Sequence, residues 1–120
     1  MTLTLPWPPS VNHYWRHASG VTYLSAEGKA YKLAVKLRSL ANGRLEPLGC
    51  PVVVRLWAYR PRRVGDLDNA LKAVLDALKG IAFVDDAQVV ELHAWRGDDK
   101  ARPRVEVKVT PATGAPHVAD

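Results

Sequence analysis

The stretch that decides the fold runs from Pro51 to Gly80 and reads PVVVRLWAYRPRRVGDLDNALKAVLDALKG. The segment Pro51 to Tyr59 is rich in β-branched and aromatic residues, which predicts a strand. A basic loop follows from Arg60 to Gly65. Asp66-Leu67-Asp68-Asn69 then leads into a predicted helix that covers about Asn69 to Lys79. This succession of strand, loop and helix is typical of a domain that combines helices with a sheet.

The predicted helix has one apolar face. Leu71, Val74, Leu75 and Leu78 recur at the i, i+3, i+4 and i+7 spacing of an amphipathic helix. Gly80 follows the last of these residues and is a natural helix-ending residue, because glycine adopts the left-handed conformation at low cost. We therefore expect an amphipathic helix that ends just before Gly80.

Similar patterns occur on both sides of this stretch. Ser25 is a good N-cap for an earlier helix that should run to about Leu40 and stop at Asn42-Gly43, with Leu33, Leu37 and Leu40 at helical spacing. Short strands are predicted at Thr2–Leu5 and Val21–Leu24, and longer ones at Gln88–Arg96 and Arg104–Thr110, with a hairpin-like loop at Gly97–Lys100. The pattern predicts an α/β or α+β domain, with one mixed sheet of four to five strands that carries two main helices.

Composition limits the possible classes of protein. The chain has 120 residues, 48% of them apolar, and one cysteine, Cys50, so a disulfide scaffold and a Cys/His zinc cluster are both excluded. No segment approaches the apolar length of a membrane span and the N-terminus does not resemble a signal peptide, so we expect a cytoplasmic protein. Residues 1–110 should form one domain, and 111–120, which contain two prolines and small residues, should form a flexible tail.

The charge balance favours a polyanionic partner. Lysine and arginine outnumber aspartate and glutamate by 17 to 12, which gives a net charge of +5 and a pI near 9.6. Such a surface attracts nucleic acid, although a basic surface that serves only solubility is the alternative. The chain contains no glycine-rich phosphate loop, so we expect no nucleotide cofactor.

The acidic residues are few, and their placement is informative. Asp66 and Asp68 lie two positions apart, so in an extended segment their side chains point the same way and can share a hard cation such as Mg²⁺. Asp85 and Asp86 precede a later strand. If that strand neighbours the Asp66–Asp68 segment, a third carboxylate joins the site. Capping of the helix by Asp68 and an ordinary turn at Asp85-Asp86 are the alternatives. Lys72 follows Asp68 by four positions, so it forms either a surface ion pair or a cation directed at a phosphate.

The ordered set of motifs resembles one family, the RusA-type Holliday junction resolvases. The matching segments are Leu5–Asn12, Ser25–Tyr31, Gly65–Lys72, Val74–Leu78 and Asp85–Val90. The resemblance extends from about residue 3 to residue 109. Each segment is weak evidence alone, but their order and spacing together are specific.

The resemblance implies a function and a set of site residues. It implies an endodeoxyribonuclease that resolves four-way DNA junctions as a homodimer, by paired Mg²⁺-dependent nicks in recombination and repair, with Mn²⁺ as the other candidate ion. The family's catalytic aspartates correspond to Asp66, Asp68 and Asp86, which would also hold the metal, and its essential lysine corresponds to Lys72. Asp85 is a further candidate. The family is phage-derived, which favours a prophage origin.

Two groups of residues are candidates for contacting DNA. The basic candidates for a phosphate-binding surface are Arg16, Lys29, Lys32, Lys36, Arg60, Arg62 and Arg63. Trp7, Tyr14 and Trp15 could stack on unpaired bases, although packing in a core or dimer interface is the favoured role for Trp7. Two other functions remain open at this point: a metal-dependent nuclease of broader specificity, acting on branched or single-stranded DNA, and a non-catalytic junction-binding module.

Overall fold

The computed structural model describes residues 1–43, 46–61 and 67–112. Within them the strands are β1 (Thr2–Pro6), β2 (Trp15–Ala18), β3 (Val21–Leu24), β4 (Val52–Arg60), β5 (Val89–Asp98) and β6 (Arg104–Pro111). The helices are α1 (Val11–Tyr14), α2 (Ala26–Ala41) and α3 (Leu67–Leu78), and one 3₁₀ turn covers Asp86–Gln88.

Four of the strands form one mixed sheet in the order β1-β6-β4-β5, and β2 and β3 form a separate antiparallel pair. In β4, Leu56 lies opposite Val107 of the antiparallel strand β6 and opposite Ala94 of the parallel strand β5. The predicted α+β class with a four-stranded mixed sheet is confirmed. The second, smaller sheet and the short helix α1 are additions to the prediction.

The core lies between the sheet and α2 and α3. Alternate side chains of β4 (Val54, Leu56 and Ala58) are fully or almost fully buried, as the two-residue period of a strand requires. From α3, Val74 and Leu78 are completely buried against them, whereas Leu71 and Leu75 of the predicted stripe are half-buried. Helix α3 begins at Leu67, two residues earlier than predicted.

The path of the chain through β4, α3 and β5 determines where the acidic residues lie. Because β4 and β5 are parallel, α3 must return the chain from the end of β4 to the start of β5. Gln88 Nε2 donates to the carbonyl oxygens of Leu48 and Cys50, at 2.7 and 2.8 Å, just before β4 begins. The first turn of α3 therefore follows the end of β4, whereas the 3₁₀ turn lies beside the start of β4.

Helix α2 has the predicted N-cap, but its leucines at helical spacing do not face the core. The Ser25 hydroxyl accepts a hydrogen bond from the Gly28 amide at 2.9 Å, so Ser25 is the predicted N-cap, and the helix ends before Asn42. Its buried face, however, consists of Gly28, Tyr31, Val35 and Ser39. The leucines at helical spacing (Leu33, Leu37 and Leu40) are 56%, 57% and 42% exposed, so they do not form the core-facing stripe.

The predicted hairpin-like loop after Arg96 is wrong in two respects. Gly97 and Asp98 belong to β5, and β5 and β6 lie on opposite sides of β4 instead of pairing with each other. Arg104 holds the connection in place, because its guanidinium contacts both Asp99 and Glu106 at 2.8 Å. A hydrogen bond from the Arg102 amide, together with Arg104, lowers the pKa of Asp99.

The end of the chain differs slightly from the predicted domain boundary. Strand β6 reaches Pro111, and the Ala112 amide donates to the Pro51 carbonyl at 2.8 Å, so the first residues of the predicted tail are paired. The remainder of that tail, 113–120, lies outside the described residues. Among the helices described, none has the length and apolar character needed to cross a membrane.

Candidate active site

Asp68 and Lys72 form an exposed pair at the start of α3. The Lys72 Nζ lies 3.9 Å from Asp68 Oδ2, across one helical turn, and the two side chains are 60% and 76% exposed. An ion pair this exposed contributes little to stability, so neither group is needed for folding. Both groups are accessible to a ligand. Asp66, Arg62 and Arg63, which precede them, lie outside the described residues.

Asp85 and Asp86 lie at the 3₁₀ turn that precedes β5. Gln88 fixes this turn, because its Oε1 accepts hydrogen bonds from the Val84 and Asp85 amides at 2.8 Å. Asp85 Oδ1 is 3.5 Å from the Nζ of Lys79, the residue after α3, and Asp86 is exposed. The structure therefore has a turn at Asp85-Asp86, and the two carboxylates are accessible to a ligand.

Within one chain, the two acidic segments lie at opposite ends of α3. Ten residues separate Asp68 from Leu78, which corresponds to about 15 Å along a helix axis. Asp86 lies near the C-terminal end of α3, because Lys79, the residue after the helix, contacts the adjacent Asp85. A magnesium ion holds its oxygen ligands at about 2.1 Å, so one ion cannot bridge such a distance. A single chain therefore brings Asp68 to Lys72 but does not bring Asp86 to either of them.

Lysines surround a groove of about 330 Å³ beside the end of α3. Lys29, Lys32 and Lys36 from α2 line it together with Lys79. Lys32 also stabilises the end of α3, since its Nζ donates to the carbonyl oxygens of Asp76 and Lys79 at 3.0 and 2.8 Å. Cations at a helix C-terminus interact favourably with its dipole. The groove thus concentrates positive charge at the end of the molecule that carries Asp85 and Asp86.

The other described basic candidates differ in their exposure. Arg16 is exposed on β2. Arg60, by contrast, is only 8% exposed, and its Nε donates to Asp98 Oδ1 at 2.8 Å. Arg60 therefore stabilises the ends of β4 and β5 through this partly buried pair, and the proposed DNA surface does not include it.

Sequence reasoning missed a buried contact between α1 and α3. The Tyr14 hydroxyl donates to Asp76 Oδ2 at 2.6 Å, and Tyr14 is completely buried. It therefore cannot stack on a base, contrary to one of the possibilities raised by the sequence. Burial, followed by the hydrogen bond to Asp76, raises the pKa of Tyr14 above its usual range. The polar Asp76 beside the apolar stripe of the helix was the only signal of this contact in the sequence.

Replacing Tyr14 with phenylalanine is expected to destabilise the fold by about 2 kcal/mol, because it leaves the Asp76 carboxylate without its donor. Urea unfolding followed by circular dichroism measures this change. Tyr23→Phe is the matched control, since Tyr23 is 50% exposed and should lose little or no stability. Equal midpoints for the two variants would contradict a stabilising role for the Tyr14–Asp76 contact.

The donor chemistry suits a hard cation, although the residues that the structure describes bring together only part of a ligand set. The candidates Asp68 and Asp86 both offer exposed carboxylate oxygens, the ligands that Mg²⁺ and Mn²⁺ prefer. In the part of the chain that the structure describes, no three His, Cys, Asp or Glu side chains converge on one point. The described carboxylates therefore fit such an ion by type, but they do not by themselves form a complete metal site.

Comparison with known proteins identifies the family. Residues 6–110 match the family model described as Endodeoxyribonuclease RusA. The crossover junction endodeoxyribonucleases RusA of Shigella sonnei (strain Ss046) and Escherichia coli (strain K12) are each 44% identical over 112 residues, which cover 91% of this chain and 92% of the relative. The crossover junction endodeoxyribonuclease rusA of Enterobacteria phage 82 is 43% identical over 111 residues, or 90% of this chain and 92% of the relative.

A small basic α+β domain with exposed carboxylates beside lysines is a suitable scaffold for an enzyme that acts on nucleic acid. The match runs from the last residue of β1 to the last residue but one of β6, so it includes every described candidate of the site. The chain belongs to the RusA family of endodeoxyribonucleases, as the resemblance of its motifs predicted.

Proposed function

We propose that this chain is a structure-selective endodeoxyribonuclease that hydrolyses phosphodiester bonds in four-way DNA junctions. The observation that carries the proposal is its similarity, over nine-tenths of both chains, to proteins named crossover junction endodeoxyribonucleases. We assign that activity to DNA recombination and repair in the cytoplasm. The phage relative supports a prophage origin for this chain.

The proposed catalytic set is Asp66, Asp68, Asp86 and Lys72. The three carboxylates would hold Mg²⁺, or Mn²⁺, as oxygen ligands. When bound, the ion would polarise a phosphoryl oxygen and lower the pKa of a coordinated water. The exposure of Asp68 and Asp86 supports this assignment, because exposed carboxylates pay little desolvation cost before they meet a cation.

Lys72 supplies a positive charge that does not depend on a metal. Its ammonium lies 3.9 Å from Asp68, close enough to reach the phosphate of a strand bound beside that carboxylate. Negative charge accumulates on the non-bridging oxygens as a nucleophile attacks phosphorus, and a cation already in place stabilises this charge. We therefore assign Lys72 to electrostatic stabilisation of the transition state and to orienting the scissile phosphate.

The lysine groove and three arginines would hold the DNA backbone. Lys29, Lys32 and Lys36 line the groove at the Asp86 end of α3, and Arg62 and Arg63 precede the Asp68 end in the sequence. Arg16 extends the basic surface onto β2. A homodimer suits this role, because a four-way junction has approximate two-fold symmetry and two identical sites can then cut opposed strands.

Replacing Lys36 with alanine is expected to weaken junction binding and to reduce the salt dependence of binding. If Lys36 contacts one phosphate, the slope of log K against log salt should fall in magnitude by about 0.9, since one fewer counterion is released. Titrations at several salt concentrations measure the slope. Lys100→Ala, which removes an exposed lysine far along the chain from the groove, should leave it unchanged. Identical slopes for Lys36→Ala and the unchanged chain would remove Lys36 from the DNA surface.

Cleavage of a labelled mobile four-way junction tests the proposed function. With Mg²⁺ we expect symmetric nicks in opposed strands, and EDTA should abolish them. Equal cleavage of flaps, forks or single strands in competition with the junction would indicate a nuclease of broader specificity instead. Tight junction binding without nicks in Mg²⁺ or Mn²⁺ would indicate a non-catalytic binding module.

A further inference from the structure

The face of the main sheet that points away from α2 and α3 carries a group of stacked aromatic rings. Trp57 of β4 lies directly opposite Trp95 of β5, and their ring centroids are 5.1 Å apart at an interplanar angle of 13°. His93, two residues earlier on β5, stacks on Trp95 with centroids 6.2 Å apart and an angle of 15°. The three rings are therefore nearly parallel and stand on one face of the sheet. We call Trp57, Trp95 and His93 the aromatic platform.

Packing of the sheet does not by itself account for the aromatic platform. Cross-strand aromatic pairs do stabilise sheets, but they gain most when the rings are buried. Trp95 is 47% exposed, and the His93 side chain, whose Nε2 lies 3.2 Å from Glu91, is 44% exposed. Tyr59 on the same face is covered instead, because the Arg104 guanidinium lies 4.1 Å from its ring centroid. The accessible ring surface of this face is therefore at Trp95 and His93.

Two cations lie in the row of residues beside the two tryptophans. Arg55 of β4 is opposite His93 of β5 on one side and opposite Lys108 of β6 on the other, so all three side chains share one face. Lys108 is exposed and Arg55 is half-buried. Among the residues that the structure describes, neither of these cations has an ion-pair partner. The nearby Glu106, by contrast, is paired with Arg104 at 2.8 Å. The row beside the tryptophans therefore carries positive charge that is not compensated locally.

We propose that this face of the sheet binds unpaired bases of a DNA strand, which stack on the aromatic platform while their phosphates contact Arg55 and Lys108. Every base has a π-face, so stacking on exposed rings requires no particular sequence. Successive side chains on one face of a strand are about 7 Å apart, which is close to the distance between base and phosphate in one nucleotide. A row of cations beside a row of rings therefore fits a single strand. A duplex fits less well, because its bases already stack on one another.

The proposed binding surface is separate from the candidate active site. Asp68 and Lys72 belong to α3, whose Val74 and Leu78 pack on the opposite face of the sheet, in the same core as Leu56 of β4. In branched DNA the strands leave one another at the branch point, and bases exposed there are the ones that this face would hold. The inference rests on the proposed function only for the choice of DNA as the strand, because oligonucleotide binding needs no cleavage.

Quenching of tryptophan fluorescence by an oligothymidylate tests the proposal on the full chain. The chain has four tryptophans, and Trp57 and Trp95 belong to the aromatic platform. We expect quenching by the oligothymidylate and little quenching by a duplex of the same length, because paired bases do not offer their faces to a ring. Equal quenching by the two DNAs, or none by either, would overturn the proposal.

Substitutions at Trp95 separate stacking from the loss of apolar surface. Trp95→Leu should weaken binding of a labelled oligothymidylate, measured by fluorescence anisotropy, by roughly 5- to 100-fold, whereas Trp95→Phe, which keeps a ring, should lose less. Leu92→Ala is the matched control, because Leu92 is 42% exposed on the other face of the same strand, opposite Val54. Thermal unfolding verifies that each variant is folded. Equal affinities of folded Trp95→Leu and Leu92→Ala chains would overturn the stacking.

Lys108→Gln is a second test that leaves the ring contacts intact. The slope of log K against log salt for the oligothymidylate should fall in magnitude by about 0.7, since one phosphate contact on a single strand is lost. Lys100→Gln, in the connection between β5 and β6, should leave the slope unchanged. An unchanged slope with Lys108→Gln would remove this residue from the strand's path. Oligothymidylate binding without junction cleavage would contradict the proposed function alone, and cleavage without oligothymidylate binding would contradict this inference alone.

Discussion

Asp68→Asn is expected to abolish nicking of the four-way junction while binding of the junction is retained or tightened. Asparagine has the same shape as aspartate but lacks the negative charge, so it is a poor ligand for a hard cation. Loss of a residue that only orients a metal ligand typically costs about 10–100-fold in activity, and loss of a ligand should cost more. We therefore expect nicking to fall by more than about 100-fold. Removal of a negative charge from a surface that faces DNA should leave affinity equal or higher.

The design separates a catalytic effect from a structural one. The Asp68 side chain is 76% exposed and its ion pair with Lys72 is long, so the variant should unfold at the same urea concentration as the unchanged chain. Glu46→Gln is the charge-matched control, because Glu46 is exposed and outside the candidate site. This control should nick normally. Nicking by Asp68→Asn at the control's rate would remove Asp68 from the metal site.

Gly28→Ala should strongly destabilise the fold, although alanine favours helices more than glycine does. A Cβ atom at position 28 would overlap with the backbone carbonyl oxygen of Tyr14, and backbone cannot move aside as a flexible side chain can. The same region contains the hydrogen bond that the single Ser25 hydroxyl proton shares between the His13 and Tyr14 carbonyls. We expect a loss of about 3 kcal/mol, despite a gain of up to about 1 kcal/mol from helix propensity.

Thermal and urea unfolding measure this effect, and the chain offers a matched control. Gly49→Ala introduces the same methyl group where no atom lies within 4 Å, so its stability should change by less than about 1 kcal/mol. The two variants share the loss of unfolded-state freedom, and their difference isolates the overlap with Tyr14. Similar midpoints for both would mean that α1 and α2 can separate slightly at no cost.

The local features of the fold were predictable from the sequence. The N-cap at Ser25, whose hydroxyl accepts from the Gly28 amide, depends only on neighbours along the chain. The same is true of the alternation of Val105, Val107 and Val109 in β6. The face that α2 buries was not predictable. Leu33 and Leu37 have the correct spacing, but Tyr31 and Val35 have the same spacing on the other side of the helix. Which of the two faces is covered depends on where the sheet lies.

The arrangement of the candidate site was also beyond local reasoning. The proximity of Asp68 and Lys72 follows from one helical turn, and the structure has them 3.9 Å apart. The position of Asp86 depends instead on the parallel pairing of β4 with β5, which is set by contacts distant in sequence. The position of Arg60 was not predictable for the same reason, since its partner Asp98 lies 38 residues away in the sequence.

Helix α3 is also a stiff connection between the two acidic segments. It is twelve residues of unbroken helix, with Asp68 in its first turn and the Lys79–Asp85 contact just beyond its last. A packed helix moves as one body, so a shift of its first turn when a phosphate arrives displaces its far end by a similar distance. Lys32, which donates hydrogen bonds to carbonyls at the end of α3, would transmit that displacement to α2. The Asp68 end of the molecule and the lysine groove are therefore joined by one stiff element, which would move both together.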